Sequence, residues 1–463
     1  METSKPTSDE SLQFKELVEN QRKFFFTGIT RNPAWRKAQL KKLYDAILLN
    51  EKAIFNALYE DLNKSEFESL CTETGLVLPE IRYQIKNLAR LAKPKKVKSN
   101  MGNWPSKAKI YPEPYGVSLI MSPWNYPFML SIEPLVDSIA AGNTAIIKPS
   151  RYSENTSKII QKIIEENFPK EYIAVVQGGH IQNTALLEQK FDFIFFTGSS
   201  AVGRVVMEAA SKNVTPLVLE LGGKSPCIVD KSANIKTAAK KIVWGKFLNA
   251  GQTCVCPDYI LIHDNVKEEF LKFVNKEIKT RFGKSPLENK FYPKIINQKH
   301  FERLLKMHDA DNNPEKLKIA PTIVDLGPVS ESRAETDPLM QQEIFGPFLP
   351  VISYQDNDDL VTFIRKHPTP LALYVFSEDK NFQNLFINNV RYGGGCINDV
   401  NVHLSVSSLP FGGIGESGLG SYHGDFGFST FTHYKSVLTC SSKIDNPARY
   451  KSRYFKIVKS FLK

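Results

Sequence analysis

The sequence is poor in cysteine and lacks any long hydrophobic run. Six cysteines in 463 residues are too few for a disulfide scaffold, and their spacing does not match a zinc site. No stretch reaches the roughly 18 continuous apolar residues that a membrane-spanning helix needs. The first residues lack the apolar segment of a secretory signal. These absences predict a cytoplasmic protein that has no metal site.

The composition is otherwise that of a globular protein with an excess of positive charge. Hydrophobic residues make up 42% and charged residues 24%, and no low-complexity segment interrupts the chain. At roughly 100–200 residues per domain, the length allows about two to four domains. The formal net charge of +11 raises the question of an acidic partner, such as a nucleic acid, an anionic membrane or a phosphorylated ligand.

Short apolar runs alternate with helical patterns over most of the chain. Residues 39–58 carry apolar side chains at helical spacing, and residues 131–141, 155–168 and 238–248 are also helix-like. The buried-strand patterns lie at 115–121, 143–149, 173–176, 193–196, 226–229 and 259–262. This alternation predicts an α/β protein with parallel sheets.

A glycine-bearing turn follows the apolar run at 193–196. The sequence TGSSAVGR at 197–204 places free backbone N–H groups and a helix N-terminus together, which suits a pyrophosphate. It is not the GxGxxG fingerprint, and by itself it is a weak signal that favours a structural turn over a functional one.

Three side chains stand in positions that suit catalysis. Cys254 lies in the polar turn GQTCVC, where it is either a nucleophile or a small buried cysteine. Glu220, in LELGGK, is either a general base whose pKa an apolar setting raises or a structural carboxylate. Asn125, in SPWNYPF, offers an amide donor for an oxyanion or bonds its own turn.

Taken in this order, the motifs resemble the NAD(P)-dependent aldehyde dehydrogenase superfamily over nearly the whole chain. They are PWNYP at 123–127, KPS at 148–150, FTGS at 196–199, LELGGKSP at 219–226, GQTC at 251–254, EIFGP at 343–347 and LPFGG at 409–413. The class 3 branch is the most similar one, because of Tyr126, the run CVCPDY at 254–259, and the segments SYHG at 421–424 and FTH at 431–433.

The resemblance implies a fold and a reaction. The fold would be a Rossmann-like cofactor domain, an α/β catalytic domain and a small β bridging segment that pairs two subunits. The Cys254 thiolate would attack the aldehyde, and the Asn125 amide with the Cys254 N–H would stabilise the oxyanion. Hydride transfer to the cofactor would leave a thioester, which Glu220 would help water to hydrolyse to the acid.

The resemblance also implies residues for the cofactor and the substrate. Lys148 and Glu343 would hold the two riboses, and Phe345 would back the nicotinamide ribose. The remaining residues expected at the cofactor are Trp124, Gly198, Ser199, Gly203 and Leu221. Tyr126 and Phe411 are expected at a pocket for medium- or long-chain aliphatic or aromatic aldehydes.

Two residues depart from the family pattern. Many relatives have glutamate after the KPS motif, whereas this chain has Arg151. A lost carboxylate weakens NAD discrimination and a guanidinium can pair with a 2′-phosphate, so we predict that NADP is used at least as well as NAD. The alternative is that Arg151 points to solvent. Cys256 either fills space or forms a reversible disulfide with Cys254 under oxidation.

The expected division of the chain follows the resemblance. Residues 1–92 and 114–220 form the NAD(P)-binding domain, 221–405 the catalytic domain, 93–113 and 406–440 the bridging segments, and 441–463 a basic tail. The expected partners are an aldehyde and a second copy of the chain. The tail predicts a short basic amphipathic helix that docks on the body or touches a membrane surface. No motif in the sequence indicates nucleic-acid binding.

Three other functions stay open. A CoA-acylating dehydrogenase would lack the general base, whereas Glu220 is present. A thiol esterase would use Cys254 and Asn125 but leave the cofactor motifs unexplained. A basic binding protein built on an inactive dehydrogenase body would not need Cys254, Glu220 and Asn125 together.

Overall fold

The computed structural model describes residues 8–331, 333–447 and 450–462. Within these residues, two six-stranded sheets form the body and a three-stranded sheet projects from it. The predicted α/β architecture is confirmed. The described helices include none that is both long and apolar enough to cross a bilayer.

The N-terminal quarter is helical, as its apolar spacing predicts. The helices are α1 (Ser8–Phe26), α2 (Pro33–Leu62), α3 (Glu66–Ser69) and α4 (Gly75–Leu91). Helix α2 begins where the Asn32 side chain accepts a hydrogen bond from the Ala34 N–H and Pro33 occupies the first turn. A single π-helical segment, Leu70–Thr74, joins α3 to α4. Such segments often occur at functional sites.

The first six-stranded sheet has the order β16-β7-β6-β3-β4-β5. Its parallel strands are β3 (Val117–Met121), β4 (Thr144–Lys148), β5 (Ile173–Val175), β6 (Phe193–Thr197) and β7 (Leu217–Glu220), and β16 (Gly418–Leu419) pairs antiparallel at one edge. Its helices are α5 (Met129–Ala141), α6 (Glu154–Asn167), α7 (His180–Leu187) and α8 (Ser200–Ser211). Every residue of β3, β4 and β6 is buried, as expected for a parallel sheet covered on both faces.

The second six-stranded sheet is parallel throughout, in the order β12-β13-β9-β8-β14-β15. Its strands are β8 (Pro226–Val229), β9 (Tyr259–His263), β12 (Thr322–Pro328), β13 (Phe348–Tyr354), β14 (Ala372–Phe376) and β15 (Gly394–Ile397). The connecting helices are α9 (Ile235–Phe247), α10 (Asp264–Phe282), α11 (Gln298–Met307), α12 (Arg333–Thr336), α13 (Pro338–Gln341), α14 (Asp358–Arg365) and α15 (Lys380–Asn389). A short hairpin pairs β10 (Asn312–Asn313) with β11 (Lys318–Ile319).

The projecting sheet is antiparallel and has the order β1-β2-β17. It contains β1 (Lys95–Val97), β2 (Ser106–Pro114) and β17 (Thr432–Cys440), which follows α16 (Gly424–Thr430). From His433 to Cys440 the side chains of β17 are exposed. The tail contains α17 (Phe455–Leu462), and Tyr450 and Phe455 are largely exposed there. The expected helix is present, and whether it docks on the body or touches a membrane stays a prediction.

The predicted domain boundaries also stay a prediction. The segment 406–440 contributes β16 to the first six-stranded sheet and β17 to the projecting sheet, so it is part of both sheets. The carboxyl ends of β3, β4, β6 and β7 meet at one edge of the first sheet. Ligands bind at such edges in open α/β sheets, and the motifs around Asn125, Lys148, Gly198 and Glu220 follow these strand ends.

Candidate active site

Cys254 lies on an irregular turn between α9 and β9. Asn249, Ala250 and Gly251 all have left-handed backbones, with φ of 50°, 52° and 77°. Two of these residues carry a Cβ, so the turn is strained and its conformation is held by the surrounding packing. Asn249 and Ala250 are buried, and the turn presents Cys254 to a cavity.

The cavity has a volume of about 450 Å³ and is mostly apolar. Cys254, Glu220 and Leu221 line it, as do the two predicted substrate residues, Tyr126 and Phe411. Its other apolar walls include Phe67, Leu76, Met129, Leu130, Trp244, Phe247, Phe282, Val402 and Leu404. This size and character are typical of a small-molecule site.

Glu220 ends β7 with its side chain 2% exposed. Neither of its carboxylate oxygens has a hydrogen-bond partner among the described residues. Burial therefore holds the pKa of Glu220 well above its usual range. A carboxyl group in this state can hold a proton at neutral pH and release or accept it during a reaction.

The Cys254 thiol is similarly hard to ionise in the free chain. Burial, together with the carboxylates of Glu343 and Glu220, raises the pKa of Cys254 well above its usual range. The neutral thiol is therefore favoured over the thiolate in the free chain. Glu220 and Glu343 are the carboxylates close enough to influence it.

Asn125 is 2% exposed, and hydrogen bonds hold both its side-chain amide and its backbone carbonyl. Its side-chain Nδ2 donates to the Gln252 carbonyl at 3.1 Å. Its own carbonyl accepts from Lys64 Nζ and from Asn249 Nδ2, both at 2.8 Å. The amide group thereby lies beside the turn that carries Cys254.

Lys64 and Glu73 form a fully buried ion pair beneath this loop, which sequence reasoning missed. Lys64 Nζ lies 2.6 Å from Glu73 Oε1, and both side chains are 0% exposed. The other carboxylate oxygen of Glu73 accepts from the Met129 N–H at 2.8 Å, at the start of α5. The pair therefore ties the π-helical segment to the middle of the loop, at Asn125, and to its end, at Met129. Lys64 and Glu73 stand in a helical stretch of sequence without a recognisable motif, so the sequence did not indicate that they form an ion pair.

The two residues expected at the substrate are held by neighbours on other elements. The Tyr126 hydroxyl lies 2.5 Å from Thr253 Oγ1, next to Cys254. The ammonium of Lys64 lies 3.9 Å from the centroid of the Tyr126 ring. Phe411 stacks on the His423 ring with centroids 5.5 Å apart.

The turn after β6 has the form expected of a phosphate site. Ser199 caps α8 by accepting a hydrogen bond from the Val202 N–H, and the Gly198 N–H donates to the Glu220 carbonyl. A Cβ on Gly203 would stand 2.7 Å from Leu221 Cδ2, so the helix packs closely on the loop after Glu220. The positive end of α8 thus faces the edge of the sheet.

Lys148 ends β4 at the same edge. Its ammonium donates to the Gly178 carbonyl at 2.7 Å and to the Pro149 carbonyl at 2.9 Å. Burial, and secondarily the nearby Arg151, lowers the pKa of Lys148 to about 8. The Arg151 side chain is exposed and packs against Gly179, with its guanidinium 5.2 Å from the Tyr152 ring.

Glu343 lies beside Gly222, in the loop that follows Glu220. A Cβ on Gly222 would stand 2.1 Å from Glu343 Oε2, so only glycine permits this approach. Burial, and secondarily Asp258, raises the pKa of Glu343 to about 8. Sequence reasoning missed a buried ion pair next to Glu343. Lys224 Nζ lies 2.5 Å from Asp258 Oδ2, and the same ammonium donates to the Gln342 carbonyl.

Aromatic rings follow Glu343 along the cleft. Phe345, with φ of 50°, meets Trp124 edge-on at 5.4 Å between centroids. His300 lies 5.0 Å from Trp124 on its other side, and burial lowers the pKa of His300 to about 4. Phe345, Trp124 and His300 thus form one aromatic group, and the roles of the predicted cofactor residues stay predictions.

Cys256 faces away from that cavity. Its thiol donates to the Gly251 carbonyl at 3.5 Å, and the buried Lys246 ammonium lies 3.8 Å from its sulfur. A disulfide with Cys254 would require the thiol to leave both contacts. The redox role of Cys256 stays a prediction, and no group of His, Cys, Asp or Glu among the described residues could hold a metal ion.

Cys254 and Glu220 thus share a mostly apolar cavity next to the carboxyl end of β7. The profile of the aldehyde dehydrogenase family matches residues 6–437, and the chain belongs to that family. It is therefore an aldehyde dehydrogenase, an oxidoreductase that acts on aldehydes.

Individual relatives agree with this assignment. The chain is 44% identical to the 4,4'-diaponeurosporen-aldehyde dehydrogenase of Staphylococcus aureus over 95% of its own length and 97% of the relative. It is 41% identical to the mouse dimeric NADP-preferring aldehyde dehydrogenase over 94% of its length and 96% of the relative. A solved substrate-bound aldehyde dehydrogenase from S. aureus superposes with a TM-score of 0.92 at 42% identity, covering 97% and 99% of the two chains.

Proposed function

We propose that the chain oxidises apolar aldehydes to carboxylic acids through a thioester on Cys254. The supporting observation is the common cavity of Cys254 and Glu220, with the Asn125 amide beside the same turn. The Cys254 sulfur would form a bond to the carbonyl carbon while its proton passes to a neighbouring carboxylate. The resulting oxyanion would accept from Asn125 Nδ2 and the Cys254 N–H.

Glu220 is the proposed base for the hydrolytic step. Its oxygens lack partners within the described chain, so a water in the cavity is free to donate to it. Removal of a proton from that water would let its oxygen attack the thioester carbonyl and release the acid and the Cys254 thiol. The presence of this base favours hydrolysis over transfer of the acyl group to coenzyme A.

The cleft residues fit NAD(P), which when bound supplies the hydride acceptor. Ser199 and the N-terminus of α8 suit the pyrophosphate, and Gly203 lets α8 pack closely on the loop after Glu220. Lys148 and Glu343 would hold the riboses. Trp124, Gly198, Gly203, Leu221 and Phe345 would shape the cleft. Arg151 favours NADP, and a mouse relative is named as NADP-preferring.

The apolar lining of the cavity favours medium- or long-chain aliphatic and aromatic aldehydes. Its aromatic and aliphatic walls offer few hydrogen-bond partners to a polar chain. Tyr126 and Phe411 would contact the substrate near Cys254. One relative is named for an aldehyde derived from diaponeurosporene, which agrees with a preference for apolar aldehydes.

We further propose a homodimer in the cytoplasm. Strand β17 lies at the edge of its sheet with nearly all its side chains exposed, which is typical of a strand that pairs with another chain. A relative named as dimeric supports this. The basic tail is the part of the chain suited to contact an anionic membrane.

The central experiment measures aldehyde-dependent formation of reduced cofactor without coenzyme A. The wild type is expected to be active on a long-chain aldehyde, and Cys254→Ala to lose at least about 10³-fold in kcat, because the nucleophile is gone. Cys256→Ala is the matched control, since its thiol faces away from the cavity. Equal losses in both variants, or full activity of Cys254→Ala, would contradict the proposal.

A further inference from the structure

The apolar cavity carries one carboxylate besides Glu220 in its wall. Glu68 lies on α3, and its Oε1 accepts from the Asn249 N–H at 2.8 Å. In the described parts of the chain Oε2 has no hydrogen-bond or ion-pair partner. The side chain is partly buried, so this oxygen adds a charge to a wall that is otherwise mostly apolar.

The surrounding charges leave Glu68 without a direct counter-ion. Lys64 is nearby but is paired with Glu73 at 2.6 Å, and Arg281, which also lines the cavity, is bonded to Glu277 at 3.1 Å. Burial raises the pKa of Glu68 to about 7, and the charge of Lys64 and the Asn249 N–H oppose that rise. Burial, and secondarily the nearby charge of Glu68, raises the pKa of Tyr126 and Tyr292, whose hydroxyls bond Thr253 and the Ile319 carbonyl.

We propose that Glu68 selects substrates by charge: the cavity admits neutral and cationic aldehydes, while anionic aldehydes and the carboxylate product are repelled. A like charge in a poorly solvated cavity acts strongly, because little water screens it. Repulsion of the acid would also speed its release after hydrolysis. The inference rests on the proposal that this cavity is the aldehyde site.

The test compares three aldehydes that share one aromatic ring and differ in the charge at the 4-position: benzaldehyde, 4-carboxybenzaldehyde and 4-(trimethylammonio)benzaldehyde. The measured quantity is the ratio of kcat/KM for benzaldehyde to that for the carboxylated aldehyde at pH 8. In Glu68→Gln we expect this ratio to fall about tenfold, and the preference for the cationic aldehyde to weaken. The amide oxygen of the variant can still accept from the Asn249 N–H.

Glu66→Gln is the matched control, because Glu66 is exposed on the same short helix. Its ratios should equal those of the wild type. A second measurement needs no variant: in the wild type, discrimination against the carboxylated aldehyde should increase as the pH rises from 6 to 8, since Glu68 ionises over this range. The substrate carboxylate stays ionised throughout.

Two outcomes would overturn the proposal. One is a ratio that does not change in Glu68→Gln, and the other is a wild-type ratio independent of pH. Benzoate binding to Cys254→Ala, measured by calorimetry, separates this inference from the proposed chemistry. Tighter binding in Cys254→Ala/Glu68→Gln than in Cys254→Ala supports charge selection even if Cys254 proves dispensable for turnover.

Discussion

At the scale of single residues, Arg151 is the residue that we expect to influence the choice between NAD and NADP. Its guanidinium is exposed, lies close enough to lower the pKa of Lys148, and packs beside Gly179. Sequence reasoning left open whether it points to solvent. The structure shows it solvent-accessible and near Lys148, and its pairing with a 2′-phosphate stays a prediction.

Arg151→Glu is expected to change the cofactor preference. Replacing a phosphate partner by a carboxylate removes a charge-assisted hydrogen bond, worth about 1.5–3 kcal/mol, and adds repulsion. The kcat/KM ratio of NADP to NAD should fall by at least about tenfold. Lys162→Glu makes the same charge change at an exposed site on α6 and should leave the ratio unaltered. A wild type that strongly prefers NAD would contradict the prediction.

At the scale of elements, the π-helical segment and the loop before α5 act together. The Glu73 carboxylate bonds Lys64 and the Met129 N–H, and Lys64 in turn bonds the Asn125 carbonyl. The amide proposed for the oxyanion is thus held by a buried charge pair from a different part of the chain. Lys64 is a positioning residue in this scheme.

Lys64→Met should lower both stability and kcat. It leaves Glu73 buried and unpaired, which typically costs about 3–5 kcal/mol in the free energy of unfolding. It also removes a donor from the Asn125 carbonyl, so we expect kcat to fall about tenfold while KM for the cofactor changes little. Urea denaturation and steady-state kinetics measure these effects.

The double variant Lys64→Met/Glu73→Gln separates the two effects. It removes the uncompensated charge, so stability should largely recover. The Asn125 carbonyl still lacks its lysine donor, so kcat should stay low. Recovery of kcat together with stability would mean that the pair has only a structural role.

At the scale of the whole molecule, three buried carboxyls lie where α4, α5 and α16 pack together. Glu80, Glu133 and Asp137 are each less than 5% exposed, and Glu80 Oε2 and Asp137 Oδ2 have no partner within the described residues. Burial raises the pKa of all three, most strongly for Glu133 and Asp137. His423, 3.4 Å from Glu133, offers no charge near neutral pH because burial lowers the pKa of His423 to about 3.

This cluster predicts a loss of stability at high pH. The folded chain holds protons that the unfolded chain loses above about pH 4, so the stabilising contribution decreases as pH rises toward the folded pKa values. We expect the free energy of unfolding to fall as the pH is raised from neutral to alkaline values. Glu133→Gln should reduce the slope by up to ~1.4 kcal/mol per pH unit. Denaturation of Glu208→Gln, an exposed control on α8, should follow the wild type.

The alternating apolar runs and the motifs determined the α/β class, the family and the candidate residues, because each of these signals is local in the chain. Only the tertiary structure decided what surrounds those residues. Lys64 lies 61 positions from Asn125, and Glu68 lies 181 positions from Asn249. No spacing or propensity links such partners, so packing alone placed a charge pair under the Asn125 loop and a carboxylate in the cavity wall, and left Cys256 out of the cavity lining.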